Sequence, residues 1–126
     1  MIQILKNSLI KKYFQFSGRA SRKEYWILYL FTYFIMYLLV FFKEYPLVMF
    51  TIFLIFIVPY ISLSIRRLHD FNFSGFWELL ISIILFFILY TKLMFLVHYM
   101  SFFYCIVLGI IKGTPATNKY GEPPID

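Results

Sequence analysis

The chain has 126 residues, room for one domain, and 62% of them are apolar, well above the roughly 45–50% of soluble domains. A water-soluble fold this small buries the least of its surface, so the composition excludes an ordinary soluble domain and makes the bilayer the solvent. The net charge of +6 would indicate nucleic acid only if gathered on a soluble face; here it lies between apolar runs, and no nucleic-acid partner is expected.

Met1 to Phe16 reads as an amphipathic interfacial helix. At 100° per residue Ile2, Leu5, Leu9, Tyr13 and Phe16 share one face, with Lys6 and Lys12 on its flanks and Gln3, Asn7, Lys11 and Gln15 opposite. Such a segment lies in the headgroup plane with its lysines snorkelling, or packs on the protein's own cytoplasmic ends. Residues 1–20 form this helix and a linker. Six Lys/Arg fall in the first 24 residues without an apolar run and small-residue cleavage site, so a cleavable signal peptide is not expected.

Ser17-Gly18 ends that helix, and Ser21-Arg22-Lys23-Glu24 has the form of a capping box: Ser21 accepts from the Glu24 N–H while the Glu24 side chain reaches back. The first span covers about 25–42, uncharged and roughly 27 Å long as a helix. Lys43-Glu44 turns the chain, and Pro46 suits the first turn of a second span over 45–65. Pro59 within it frees a carbonyl, which neighbouring segments or Ser62 and Ser64 are expected to satisfy. The span ends in the polar stretch from Arg66 to Gly75, with both arginines at the negative end of the helix dipole. Ser74 is a candidate N-cap for a third span, 76–91, with Glu78 in its first turn. A fourth follows over 93–111, because one helix from Phe76 to Ile111 would be roughly 54 Å long, too long for the hydrocarbon core. The break is expected at Thr91-Lys92. Gly113, Pro115 and Pro123-Pro124 leave residues 112–126 as an extended cytoplasmic tail. The fold class is therefore all-α: a single polytopic membrane domain of about four transmembrane helices.

Charge placement orients it. With the N-terminus inside, Lys6, Lys11, Lys12, Arg19, Arg22, Lys23, Arg66, Arg67, Lys112 and Lys119 are cytoplasmic, against Lys43 and Lys92 outside. This positive-inside bias places both termini in the cytoplasm and leaves the sequon Asn72-Phe73-Ser74 unglycosylated.

Three separated stretches carry a resemblance: Phe16-Ser17-Gly18-Arg19-Ala20-Ser21-Arg22-Lys23-Glu24-Tyr25-Trp26; Arg66-Arg67-Leu68-His69-Asp70 with Ser74-Gly75-Phe76-Trp77; and Gly113-Thr114-Pro115 with Asn118-Lys119-Tyr120-Gly121. In order and spacing they resemble the DUF805 family of small bacterial inner-membrane proteins, over nearly the whole chain. The resemblance implies a multi-pass protein of the bacterial inner membrane and brings no reaction with it. Phe76 stands where the family often has a second tryptophan. The stretch between Trp77 and Gly113 is longer than usual, which favours four spans here.

The sequence offers no enzyme. His69 and Asp70 are adjacent, so on an extended chain they point apart; no nucleophile motif accompanies them. His69 and His98 are too far apart to suggest a metal site, and no cofactor motif is present. Cys105, the single cysteine, reads as a small hydrophobe in an apolar run. Two readings use the polar residues. In the plainer one the basic edges fix topology and form ion pairs, Arg66 or Arg67 with Glu24, Asp70 or Glu78. In the sharper one Arg19, Arg22, Lys23, Arg66, Arg67, His69, Asp70, Trp77, Glu78 and Lys119 form a cytoplasmic surface for membrane lipid. Its ligand would be an anionic phospholipid or a protein partner, with Tyr25, Trp26, Phe76 and Trp77 gripping the glycerol region. The alternative function is a homo-oligomeric transporter or channel for ions or small solutes, with Glu78, Arg66 and Arg67 at its mouth and His98 inside a span.

Overall fold

In the computed structural model, residues 1–89 and 94–124 are described. The chain runs through α1 (Ile2–Lys6), a π-helical turn (Asn7–Lys11), α2 (Arg22–Leu38), a 3-10 turn (Leu39–Phe42), α3 (Pro46–Asp70), α4 (Phe76–Leu89) and α5 (Met94–Ile110). No strand occurs among the described residues; one isolated bridge joins Asn118 and Gly121. The all-helical expectation therefore holds. Among the described residues α3 is the one helix long and apolar enough to cross a membrane, and the apolar segments Phe76–Leu85 and Tyr99–Ile110 are shorter. The expected break at Thr91-Lys92 and the side chain of His98 lie outside the described residues.

Local chemistry sets the helix ends. The Ser21 hydroxyl accepts from the Glu24 N–H at 3.1 Å, half of the expected capping box; the Glu24 carboxylate turns elsewhere, as described below. Pro46 opens α3 at the position where its missing N–H has no helical partner anyway. The polar stretch was expected to follow the second span, yet α3 continues through it to Asp70. It closes with Asn72 at φ 65°, where the Phe73 N–H reaches the Leu68 carbonyl and the Asn72 N–H that of His69, the paired bonds of a left-handed helix cap.

The N-terminal segment differs from the single amphipathic helix expected. Helix stops at Lys11 rather than Phe16, and its last turn widens so that the Lys12 N–H bonds to the Asn7 carbonyl, 2.8 Å away. The wider turn brings Ser8 inward, where it is buried, while Leu5 and Leu9 pack on the core. Met1, Ile2, Ile10 and Phe14 are left exposed. Tyr13 reaches α3, and its hydroxyl donates to the Ile55 carbonyl at 2.7 Å. That carbonyl is the one Pro59 cannot serve. A neighbouring segment therefore satisfies it, the first of the two expectations; Ser62, named in the second, donates to the Lys12 and Gln15 carbonyls.

Burial is inverted relative to a soluble protein. Tyr25, Leu28, Leu63, Leu68 and Leu108 form an apolar core with Ala20, surrounded by buried Arg19, Glu24, Arg66, Arg67, His69 and Asp70. Large apolar side chains such as Phe41, Leu47, Phe50 and Phe95 are exposed, as suits helices whose solvent is lipid. The polar end of the bundle, where α2 begins and α3 and α5 end, holds the site.

Candidate functional site

Asp70 is the hub. Its carboxylate accepts from Arg19 Nε at 2.8 Å, and Arg67 binds the second oxygen. Each arginine then reaches other segments. Arg19 donates to the carbonyls of Thr114, Ala116 and Gly121 in the tail. Arg67 donates to Ala20 and to Leu108 and Ile111, carbonyls at the end of α5, where helix geometry leaves acceptors unpaired. It also lies 4.6 Å from the Phe71 ring centre. The Asp70 carbonyl in turn takes the Thr114 N–H at 2.8 Å. A Cβ on Gly113 would stand 1.9 Å from the Asp70 carboxylate, so only glycine allows the tail to pass this close.

The tail is therefore folded back, in contrast to the extended segment expected. Asn118 donates to the His69 carbonyl at 2.9 Å, and the Tyr120 ring stacks on the imidazole with centres 3.7 Å apart. His69 Nδ1 lies 3.1 Å from the Gly18 carbonyl, so the neutral ring donates there. Burial pushes this imidazole below its ordinary value; the Gly18 carbonyl acts against that and Lys119 adds to it.

A second buried pair lies beside the first. Glu24 accepts from Arg66 at 2.8 Å, from Lys12 at 3.1 Å and from Ser8 at 3.1 Å. Burial alone would raise its carboxyl, but Arg66 and Lys12 outweigh burial and hold it below the usual value. Arg66 Nε and Nη2 meet no acceptor among the described residues, which makes Glu24 the partner that justifies burying this charge.

The ten sequence candidates thus separate. Arg19, Arg67, His69 and Asp70 come together as an internal staple, and Arg66 joins the α2 start. Arg66 and Arg67 are 1% and 0% exposed, so they do not form the open surface expected of them: Arg66 is neutralised by Glu24, distant in sequence, and Arg67 by Asp70 one helical turn on, together with distant carbonyls. The plainer expectation of ion pairs is met by Arg66–Glu24 and Arg67–Asp70. Glu78 is not an arginine partner; it is buried on α4 and accepts from Tyr104. Trp77 is exposed on the same helix, Tyr25 is buried in the core, and Lys119 lies over Tyr120 at 4.9 Å.

Lys23 is exposed and Arg22 half-buried, and with the exposed Lys112 they rim two cavities. The first, about 220 Å³, is lined by Arg19, Arg22, Arg67, Asp70, Lys112 and Thr114 among others. The second, about 380 Å³, is lined by Arg22, Lys23, Trp26, Gly109 and Ile110. Trp26 donates to the Gly109 carbonyl at 3.1 Å, and a Cβ on Gly109 would stand 2.4 Å from the indole. None of Arg22, Lys23 and Lys112 has a carboxylate partner among the described residues. Lys112 belongs to the rim although it is not among the ten candidates; its place just after α5, next to Gly113, is the available signal. Among the described residues no group of three metal-ligating side chains forms.

A family model described as "Protein of unknown function (DUF805)" matches residues 13–122. The inner membrane protein YhaI of Escherichia coli K12 is 33% identical over 122 residues, covering 93% of this chain and 92% of that protein. The inner membrane protein YhaH of the same organism is 29% identical over 125 residues, with 92% of each chain covered. No solved structure gives a significant match.

Proposed function

The chain belongs to the DUF805 family, and from that premise we propose that it is a non-enzymatic multi-pass protein of the bacterial inner membrane that holds an anionic phospholipid headgroup at its cytoplasmic rim. The topology is four spans with both termini cytoplasmic, supported by the charge bias; the relatives' names support the inner-membrane location. The observation that carries the binding reading is a division of labour among cations. Arg19, Arg66 and Arg67 are occupied internally, whereas Arg22, Lys23 and Lys112 rim cavities without acidic partners. Basic clefts between helices on the cytoplasmic side attract anionic headgroups, and Trp26 offers the amphipathic ring that suits the glycerol level.

The test is ligand stabilisation. A headgroup that binds only the folded protein raises the unfolding temperature with its concentration. Phosphatidylglycerol titrated into detergent-solubilised protein is expected to raise the midpoint, with phosphatidylcholine having little effect, and Arg22→Gln/Lys23→Gln/Lys112→Gln is expected to abolish the difference. Equal responses to both lipids would overturn the reading.

A further inference from the structure

We propose that the two cavities form one bipartite site for a lipid bearing two phosphate groups, an inference that rests on the headgroup reading and deepens it. The cavities of about 220 and 380 Å³ share Arg22 as a common wall. Each has a lysine of its own: Lys112 lines the first and Lys23 the second. Both lysines are exposed, and neither has a carboxylate partner among the described residues. The guanidinium is a planar fork able to serve two oxyanions, and an ammonium on either side gives each phosphate a cation that the other does not use.

Both linings suit such a ligand. The first cavity is net cationic: Asp70 is its acid, already bound by Arg19 and Arg67, Ser21 and Thr114 add hydroxyls, and Pro115, Pro123 and Pro124 form its apolar side. The second adds Trp26, Gly109 and Ile110 to its two cations, a wall for glycerol and the upper acyl chain. That apolar wall favours a lipid over a soluble diphosphate. Arg22 and Lys23 also open α2, where first-turn N–H groups lack helical partners and the dipole favours an anion. A single phosphate would leave one lysine unused.

The experiment offers wild-type protein in detergent equal amounts of cardiolipin and phosphatidylglycerol and reads retained lipid by native mass spectrometry. Lys23→Gln and Lys112→Gln are run singly, with Lys11→Gln as an exposed lysine outside both cavities. Cardiolipin is expected to be retained about fivefold or more over phosphatidylglycerol, the factor one additional cation contributes near a membrane surface. Each rim variant should bring the ratio near one, and Lys11→Gln should leave it unchanged. Equal retention by the wild type, or a ratio insensitive to both rim variants, would overturn the two-phosphate inference while leaving the headgroup reading intact. Retention of neither acidic lipid would overturn both. Displacement of cardiolipin by millimolar inorganic pyrophosphate would instead assign the site to a soluble diphosphate.

Discussion

The Tyr13 hydroxyl donates at 2.7 Å to the Ile55 carbonyl, the acceptor that Pro59 strands inside α3. This bond gives the N-terminal segment a structural role inside the bundle: it repairs a helix that its own sequence interrupts. Tyr13→Phe is expected to cost about 1 kcal/mol, the net contribution of one hydrogen bond at a carbonyl on the outside of the bundle. In a Pro59→Ala background the new N–H serves Ile55 and the same change should cost far less. A double-mutant cycle on unfolding in detergent measures the coupling; strictly additive effects would contradict the repair.

Gly113 is the point at which the tail meets Asp70, with no room for a Cβ. Gly113→Ala is expected to force the carboxylate away from Arg19 and Arg67, with a loss of about 3 kcal/mol, the lower end for breaking a buried pair. Asp70→Asn should cost at least as much. Thr117→Ala, on the exposed part of the same tail, should stay within about 0.5 kcal/mol. Unfolding midpoints of the three variants decide it, and a silent Gly113→Ala would refute the close approach.

Much of this architecture could be read in the sequence, and what could not has a common cause. Ser21, Pro46 and the apolar runs are local signals, and they set helix starts where expected. The fate of a charge is a non-local property. Arg66 and Arg67 stand together in the chain, yet one pairs with Glu24, 42 positions away, and the other caps the end of α5. Pro59 announces a stranded carbonyl, but Ser62 is the nearer candidate on the same helix, and only packing brings Tyr13 to it. The helical course of 66–70 was hidden for the same reason, since its charges look exposed until their partners are known. Arg22 and Lys23 remained visible as outward cations because they sit at the first turn of α2.

Stability should fall in acid in two stages. The His69 imidazole is held below its ordinary value of 6.5, so the folded state binds fewer protons than the unfolded one. Its contribution is complete above that value and is lost as pH falls below it. Glu24, held below 4.5, contributes above that value and loses its contribution as pH falls further. The unfolding midpoint should therefore decline from about pH 7 to 5 and again below about 4.5. His69→Gln keeps a donor for Gly18 and should flatten the first decline. An unchanged slope between pH 7 and 5 in that variant would remove His69 from the account.

Topology is checked by labelling intact cells with a membrane-impermeant maleimide in a Cys105→Ser background. Lys43→Cys should label from outside, and Lys119→Cys only after the membrane is permeabilised. Labelling of Lys119→Cys in intact cells would invert the orientation on which the cytoplasmic rim depends.

The central claim is that the outward cations, and not the buried arginines, hold acidic lipid. Native mass spectra of wild type and of Arg22→Gln/Lys23→Gln/Lys112→Gln, both extracted directly from membranes, test it most directly. The account predicts a wild type that carries bound acidic phospholipid and a folded triple variant that carries none. A triple variant retaining the same lipid, or a wild-type oligomer that carries none, would contradict it and turn attention to solute flux.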